Sequence, residues 1–170
     1  MNKNVLHKIE YGLYIVSSFL EDKLNGQIAN TVFQVTAEPA CLAVCLNKEN
    51  LTHNYVQKSN MFSISILSED VPMIFIGRFG FKSGKDIDKF AETEYSISSS
   101  GLPIIKEFTL GHVECRVVNQ VDVGTHTLFI GEMVDGDILD ENAKTLTYSN
   151  YHLIKRGKTP PKATTFIGTK

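Results

Sequence analysis

The 170-residue chain predicts a mainly β domain, an antiparallel barrel that is closed or nearly closed, with a few short helices. Three observations carry that expectation. Segments rich in Val, Ile, Thr, Phe and Tyr with period-two alternation recur along most of the chain. Turn-forming residues separate them at regular intervals, and regularly spaced strands in one domain are best satisfied by closure, which removes exposed sheet edges. Helical signals, by contrast, are few and short.

Taken in order, strands are expected at about 11–19, 27–37, 40–47, 61–67, 109–123, 126–134 and 145–153. The turns between them are read at Asn25-Gly26, Glu38-Pro39, Asp122 to Gly124 and Asp135-Gly136. After Asn50, the spacing of Leu51, Tyr55 and Val56 gives two turns of helix, ended by Lys58-Ser59-Asn60. Asp70 followed by Pro72 reads as a second helix start, capped by Asp70 and closed near Gly77 or Gly80. A third helical piece is expected over Asp86 to Phe90. Residues 155–170 hold two prolines, two glycines and four threonines, and read as an irregular C-terminal arm lying on something else, such as a partner subunit. No repeat or linker divides the chain, so residues 1–170 form a single domain.

Seventeen Lys+Arg against nineteen Asp+Glu leave a net charge of −2. A phosphate-backbone binder needs a strong basic field, so nucleic acid is not an expected partner. Three cysteines cannot form a disulfide framework; Cys41 and Cys45 share one strand face and read as small buried hydrophobes. A reducing, cytoplasmic home fits them. Glu21 and Asp22 directly follow the apolar stretch Tyr11–Leu20 without a small-residue cleavage site, and no run approaches the roughly 20 apolar residues of a membrane span.

Spacing also excludes several chemistries. The histidines at 7, 53, 112, 126 and 152 never fall at i, i+4, and no Cys-x-x-Cys exists, so no zinc site is read. The acidic run Asp135–Glu141 lacks the polar fifth and glycine sixth positions of a calcium loop and reads as a solvated turn. No Gly-x-Ser-x-Gly elbow supports acyl-enzyme chemistry.

Three clusters remain. The segment Phe75–Asp86 gathers glycines, phenylalanines and cations in one expected loop. Gly84-Lys85 looks like the end of a nucleotide phosphate loop, but Phe79 and Asp86 replace its leading glycine and its hydroxyl residue. A flexible backbone with Ser83, Lys85 and Lys89 can still donate to one phosphate; the plain alternative is an exposed loop with solvated lysines. Asn47 to His53 puts Lys48 and Thr52 where a strand gives way to a helix, favouring an anion there or serving as an ordinary cap. Gln27 to Thr31 places amides and a hydroxyl at a strand start. Together they describe a phosphate and a polar heterocycle held at a barrel surface.

The chain resembles the flavin reductase-like FMN-binding proteins, and within them flavoredoxin and the flavoprotein part of high-molecular-weight rubredoxins. The runs Asn25–Pro39, Ala43–His53, Phe62–Ser68, Phe75–Phe90, Gly124–Glu132 and Tyr148–Lys158 carry the resemblance. It implies a split β-barrel of Greek-key antiparallel strands, with noncovalent FMN at a homodimer interface. It further implies that Asn30 and Thr31 approach the flavin ring beside Cys45. Asn47, Lys48 and Thr52 then serve the phosphate with Ser83, Gly84, Lys85 and Lys89. His126 would lie at the isoalloxazine, where hydride or electrons enter. A lone strand histidine is ordinarily structural; here the motif gives the functional reading its weight. Thr125 stands where the family's commoner Gly-Asp-His motif has aspartate, so no nicotinamide contact falls to an acidic residue.

Three functions follow for comparison. The leading one is an FMN-dependent oxidoreductase passing electrons from NADH or NADPH to a flavin, a metal ion or a redox protein such as a rubredoxin. The second is an electron-transfer flavoprotein without its own NAD(P)H site, since no Rossmann fingerprint is present. The third is a barrel that binds an anionic ligand or partner protein without redox chemistry.

Overall fold

The computed structural model describes residues 1–167; residues 168–170 of the expected arm lie outside the described residues. A 3-10 helix (Lys3–Lys8) leads into β1 (Tyr14–Leu20), β2 (Lys23–Ala29), β3 (Val32–Ala37) and β4 (Ala40–Asn47). There follow α1 (Leu51–Ser59), β5 (Met61–Leu67), α2 (Met73–Gly80), the short β6 (Tyr95–Ile97) and β7 (Pro103–Ile105), the long β8 (Thr109–Asp122) and β9 (His126–Ile138), and α3 (Tyr148–Leu153).

Seven strands form one antiparallel sheet in the order β2-β1-β5-β8-β9-β4-β3, and β6-β7 form a small hairpin. The edge strands β2 and β3 are separated by only Asn30 and Thr31. Three chain steps span at most about 11 Å, so the two edges must approach and the sheet must curl. Curling gives it an inside and an outside, and alternation along β1 shows both. Val16 joins Val44, Leu46, Phe62, Ile64 and Phe129 in one core, closed by Val56 of α1. Its neighbour Ile15 joins Leu67, Phe75, Ile76, Phe79 and Ile105 in a second core beneath α2 and the hairpin. Each fully buried aliphatic or aromatic side chain contributes about 1.5–3 kcal/mol through removal from water.

Strands β4 and β5 fall where expected, as do α1 and the Asp122–Gly124 turn. Several expectations are corrected. Asn25-Gly26 is not a turn but the middle of β2; the β1–β2 reversal lies at Glu21-Asp22, with Glu21 at φ 57°. Gly26 is needed there because a Cβ would lie 2.6 Å from Ser17 Oγ. The expected strand 145–153 is instead α3, capped by Thr147, whose Oγ1 accepts from Asn150 N–H at 3.1 Å. Asp135-Gly136 continues β9 past a register shift rather than ending it. Asp70 does not cap α2, which starts after Pro72. Asp86 to Phe90 forms turns, with Asp88 Oδ1 accepting from Phe90 N–H, and no helix. Within the chain the C-terminal arm lies against the barrel, its Thr165 Oγ1 accepting from Asn30 just after β2 and its Lys162 carbonyl facing His126 at the start of β9.

Candidate flavin site

A groove of about 600 Å³ opens between α1, the loop after α2 and the first residues of the arm. The α1 wall presents a helix start whose Asn50 makes no side-chain cap, so the first-turn amides carry positive potential outward. Behind them Thr52 is buried and its Oγ1 accepts from Asn25 Nδ2 at 2.8 Å. The opposite wall is a tight turn, in which Asp86 and Ile87 N–H donate to the Ser83 carbonyl and Ser83 Oγ accepts from Lys85 N–H. Gly84 presses its backbone over the buried Asn25, and a Cβ at Gly84 would fall 2.1 Å from Asn25 Oδ1.

Lys89 forms the floor. Its ammonium donates to the Gly26 carbonyl at 2.8 Å and to the Phe79 carbonyl at 3.2 Å, tying β2 to α2, and stands 6.0 Å from the Phe79 ring centre. The residue is 4% exposed, and burial pushes its pKa from 10.5 down to about 8. No carboxylate partners it among the described residues. An ammonium has three donors and only two are used. The groove therefore ends in an unneutralised cation beside helix-start amides.

Beyond Gln27, Ile28, Gly80 and Phe81 the groove continues into a narrow, mainly apolar slot of about 50 Å³. Asn30, Cys45 and Asn47 line the slot on the sheet side. Tyr148, Tyr151 and arm residues Lys158–Thr164 roof it. Burial pushes the Cys45 thiol up, so it stays protonated and apolar in character. Asn47 Oδ1 accepts from Glu49 N–H, which leaves its Nδ2 as a donor. His126 pairs in register with Asn47 at the slot's outer rim. Its Nδ1 lies 2.8 Å from Thr125 Oγ1 and its Nε2 3.2 Å from the Lys162 carbonyl. The carbonyl can only accept, so Nε2 carries a proton, and in the neutral ring Nδ1 then accepts from Thr125 Oγ1.

Of the residues expected at the site, Thr52, Ser83, Gly84, Lys85 and Lys89 share the polar groove. Asn30, Cys45 and Asn47 share the slot, with Thr31 beside them, its Oγ1 3.3 Å from Asn30 Oδ1. Lys48 stands apart: its ammonium is held by both carboxylate oxygens of Asp122 at 2.7 Å. Gln27, which walls both compartments, and the arm residues Lys162 and Thr165 belong to the same place. For Gln27 the sequence signal is its place among the amides of the strand start Gln27 to Thr31. For the arm, the only signal is its density of threonines and lysines after two prolines.

This donor set fits FMN. Helix-start amides, Lys85 and Lys89 suit a phosphate dianion, the polar floor at Asn25 and Gln27 suits a polyol, and the slot chemistry of amides over apolar walls suits a heterocycle.

Comparison with known proteins agrees. The family model described as flavin reductase like domain matches residues 6–155. The chain is 49% identical over 170 residues to the ferric-chelate reductase (NAD(P)H) of Archaeoglobus fulgidus, covering all of both chains. It is 46% identical over 166 residues to the high molecular weight rubredoxin of Moorella thermoacetica, covering 98% of this chain and 72% of that protein. The NADH:FAD oxidoreductase SgcE6 of Streptomyces globisporus superposes with a TM-score of 0.78 at 20% identity, covering 85% of each chain, a likeness of fold. The chain is a member of the flavin reductase like domain family.

Proposed function

We propose that the chain is an oxidoreductase that holds FMN in the groove and slot and passes electrons from NADH or NADPH to a flavin, a metal ion or a redox protein. The observation that carries it is the unneutralised Lys89 ammonium at the end of a groove that leads into the Asn30–Cys45–Asn47 slot. The printed activities of the two close relatives, NAD(P)H-dependent ferric-chelate reduction and a rubredoxin, support the donor and acceptor classes.

Bound FMN supplies the hydride and single-electron chemistry. The protein's part is to place and polarise it. Lys85, Lys89 and the α1 start neutralise the phosphate. Asn30 and Asn47 offer amide donors where negative charge on a heterocycle's polar edge would need them. His126 holds a proton on Nε2 at the slot rim, and the arm excludes water from above. Residues 1–170 act as one flavin reductase-like domain with residues 155–170 as its arm. Three free, buried thiols support a reducing compartment, the cytoplasm. No helix among the described residues is long and apolar enough to cross a membrane.

The active unit in this reading is a homodimer. Register sets Phe33, Ala43 and Ile130 in one row, and Cys45, Leu128 and Val121 in another, on the face opposite the barrel core. Phe33 is 50% and Val121 43% exposed. This apolar face runs directly into the slot, as expected where a second copy completes the site. A Phe33→Glu variant should sediment as a monomer and bind FMN more weakly.

The second reading, a carrier without its own NAD(P)H site, draws on one observation: the arm already occupies His126 and roofs the slot. The test is to add FMN to purified protein, record the visible spectrum, and mix the loaded protein with NADH or NADPH by stopped flow. Flavin uptake with fast bleaching is expected. Uptake without bleaching assigns the carrier, and absence of uptake overturns both readings in favour of a non-redox anion binder.

A further inference from the structure

The arm is held from two sides. On one, α3 anchors it: Tyr151 Oη donates to the Lys158 carbonyl at 2.8 Å, His152 Nδ1 faces the Gly157 carbonyl at 2.9 Å, and Tyr148 Oη meets Thr159 and Thr165 Oγ1. On the other, each side-chain contact falls on the rim of the flavin site. Asn30 Nδ2 donates to Thr165 Oγ1 at 2.8 Å, His126 Nε2 faces the Lys162 carbonyl at 3.2 Å, and Lys162 Nζ pairs with Glu49 at 2.9 Å. The anchors at α3 are aromatic and partly buried. The rim contacts are polar; the Lys162–Glu49 pair is solvent-facing, with side chains 53% and 72% exposed, whereas Asn30 is buried.

Between these lies Pro160-Pro161, which supplies no N–H and fixes φ, so the span crosses the slot without joining the sheet. The space beneath it, about 50 Å³, holds one or two waters and not a three-ring heterocycle. The polar groove alongside is more than ten times larger and open. A phosphate can therefore enter while the arm is down, but seating a ring in the slot requires the span to lift from its rim contacts, Thr165 leaving Tyr148 as well as Asn30, while the α3 anchors at Gly157, Lys158 and Thr159 stay in place.

We propose that the C-terminal arm is a strap latched at Lys162 and Thr165, which lifts to admit the flavin ring, recloses over it and sets the rate at which FMN leaves. The proposal rests on the FMN reading above. An exposed ion pair and one hydrogen bond are individually weak, so the strap opens thermally, yet together they slow release.

The test loads full-length wild type, K162Q, T165V, the K162Q/T165V double variant and the charge swap E49K/K162E with FMN. Free-FMN fluorescence is followed after dilution, and tryptic cleavage after Lys158 and Lys162 is timed with and without FMN. K162Q and T165V should each release FMN about two- to fivefold faster and the double variant about tenfold faster, with E49K/K162E close to wild type. FMN should slow cleavage of the arm in wild type. Equal release rates in wild type and the double variant, or arm cleavage indifferent to FMN, would overturn the strap while leaving FMN binding intact. A wild type that takes up no FMN overturns the underlying reading and the strap with it.

Discussion

Replacing Lys89 by methionine tests whether a buried cation without a counter-ion is there for a ligand's phosphate. Burial lowers its pKa from 10.5 to about 8, a penalty on the charged form of about 3 kcal/mol. Below pH 8 both the native and the unfolded chain carry the proton, so the penalty is constant. Between about 8 and 10 the unfolded lysine keeps its proton and the native one loses it. The unfolded state then binds more protons and stability rises with pH. For the ligand-free protein the Lys89 contribution amounts to about 2–3 kcal/mol from pH 7 to pH 10, read as the difference between the denaturant midpoints of wild type and Lys89→Met as pH rises. The buried thiols of Cys45 and Cys115, raised above their ordinary 9, oppose the trend from about pH 9, and the phenols of Tyr14 and Tyr151, which burial pushes above 10, oppose it at higher pH.

In Lys89→Met the rise should be lost, leaving the fall that the buried thiols impose above about pH 9. Its absolute stability at pH 7 is less informative, because relief of charge burial is offset by leaving the Gly26 and Phe79 carbonyls without their donor, at about 1–3 kcal/mol each. Saturating FMN should flatten the wild-type slope too, since a phosphate dianion favours the charged ammonium. By titration, Lys89→Met should bind FMN about ten- to a hundredfold more weakly, the 1.5–3 kcal/mol of a charge-assisted hydrogen bond. Riboflavin, which has no phosphate, should be affected less than about threefold, well under one such bond. Equal losses for both ligands, or the same pH dependence of stability in wild type and Lys89→Met, would refute the reasoning.

Gly84→Ala should destabilise the protein by about 1–3 kcal/mol and weaken FMN binding, because its Cβ would collide with Asn25 Oδ1 beneath the loop; thermal unfolding and flavin titration read both. Phe129→Ala removes a fully buried ring from the barrel core and should cost about 3–5 kcal/mol in chemical denaturation. Cys115, wholly buried with its thiol pushed up to about 12, should resist an aromatic disulfide reagent at pH 8 in the native state, and all three cysteines should react once the chain is unfolded.

How far these features could be read from the chain depends on whether their cause is local. Strand β5 alternates Phe62, Ile64 and Ile66 with Ser63 and Ser65, and β4 alternates large Leu42, Val44 and Leu46 with small Cys41, Ala43 and Cys45, so their period survives in the sequence. Asn25-Gly26 carries the residue types of a turn for a reason that lies elsewhere. Asn25 is buried to hold Thr52, 27 positions on, and Gly26 makes room for Ser17 on the paired strand. In α3, Tyr148 and Tyr151 have strand propensity, but one turn of helix stacks their rings 6.0 Å apart as the anchor of the arm. Strands β6 and β7 are three residues each, too short to show a period at all.

The same division runs through the site. Thr52, Ser83–Lys85 and Lys89 each sit in a block whose own composition allows an anion as readily as a cap or a solvated loop, and the fold brings the blocks together. Lys48 belongs to such a block by composition, yet Asp122 across the β8–β9 turn claims its charge, a pairing 74 residues apart that no local pattern encodes. The arm is the converse case. It has no periodicity, and its meaning comes from what it crosses: a slot whose sheet-side walls are set by β2 and β4 and whose rim residues, Asn30, Glu49 and His126, supply its fastenings. A groove and slot built from strand ends are thus legible block by block, whereas the arm that crosses them is legible only once those strand ends have been placed.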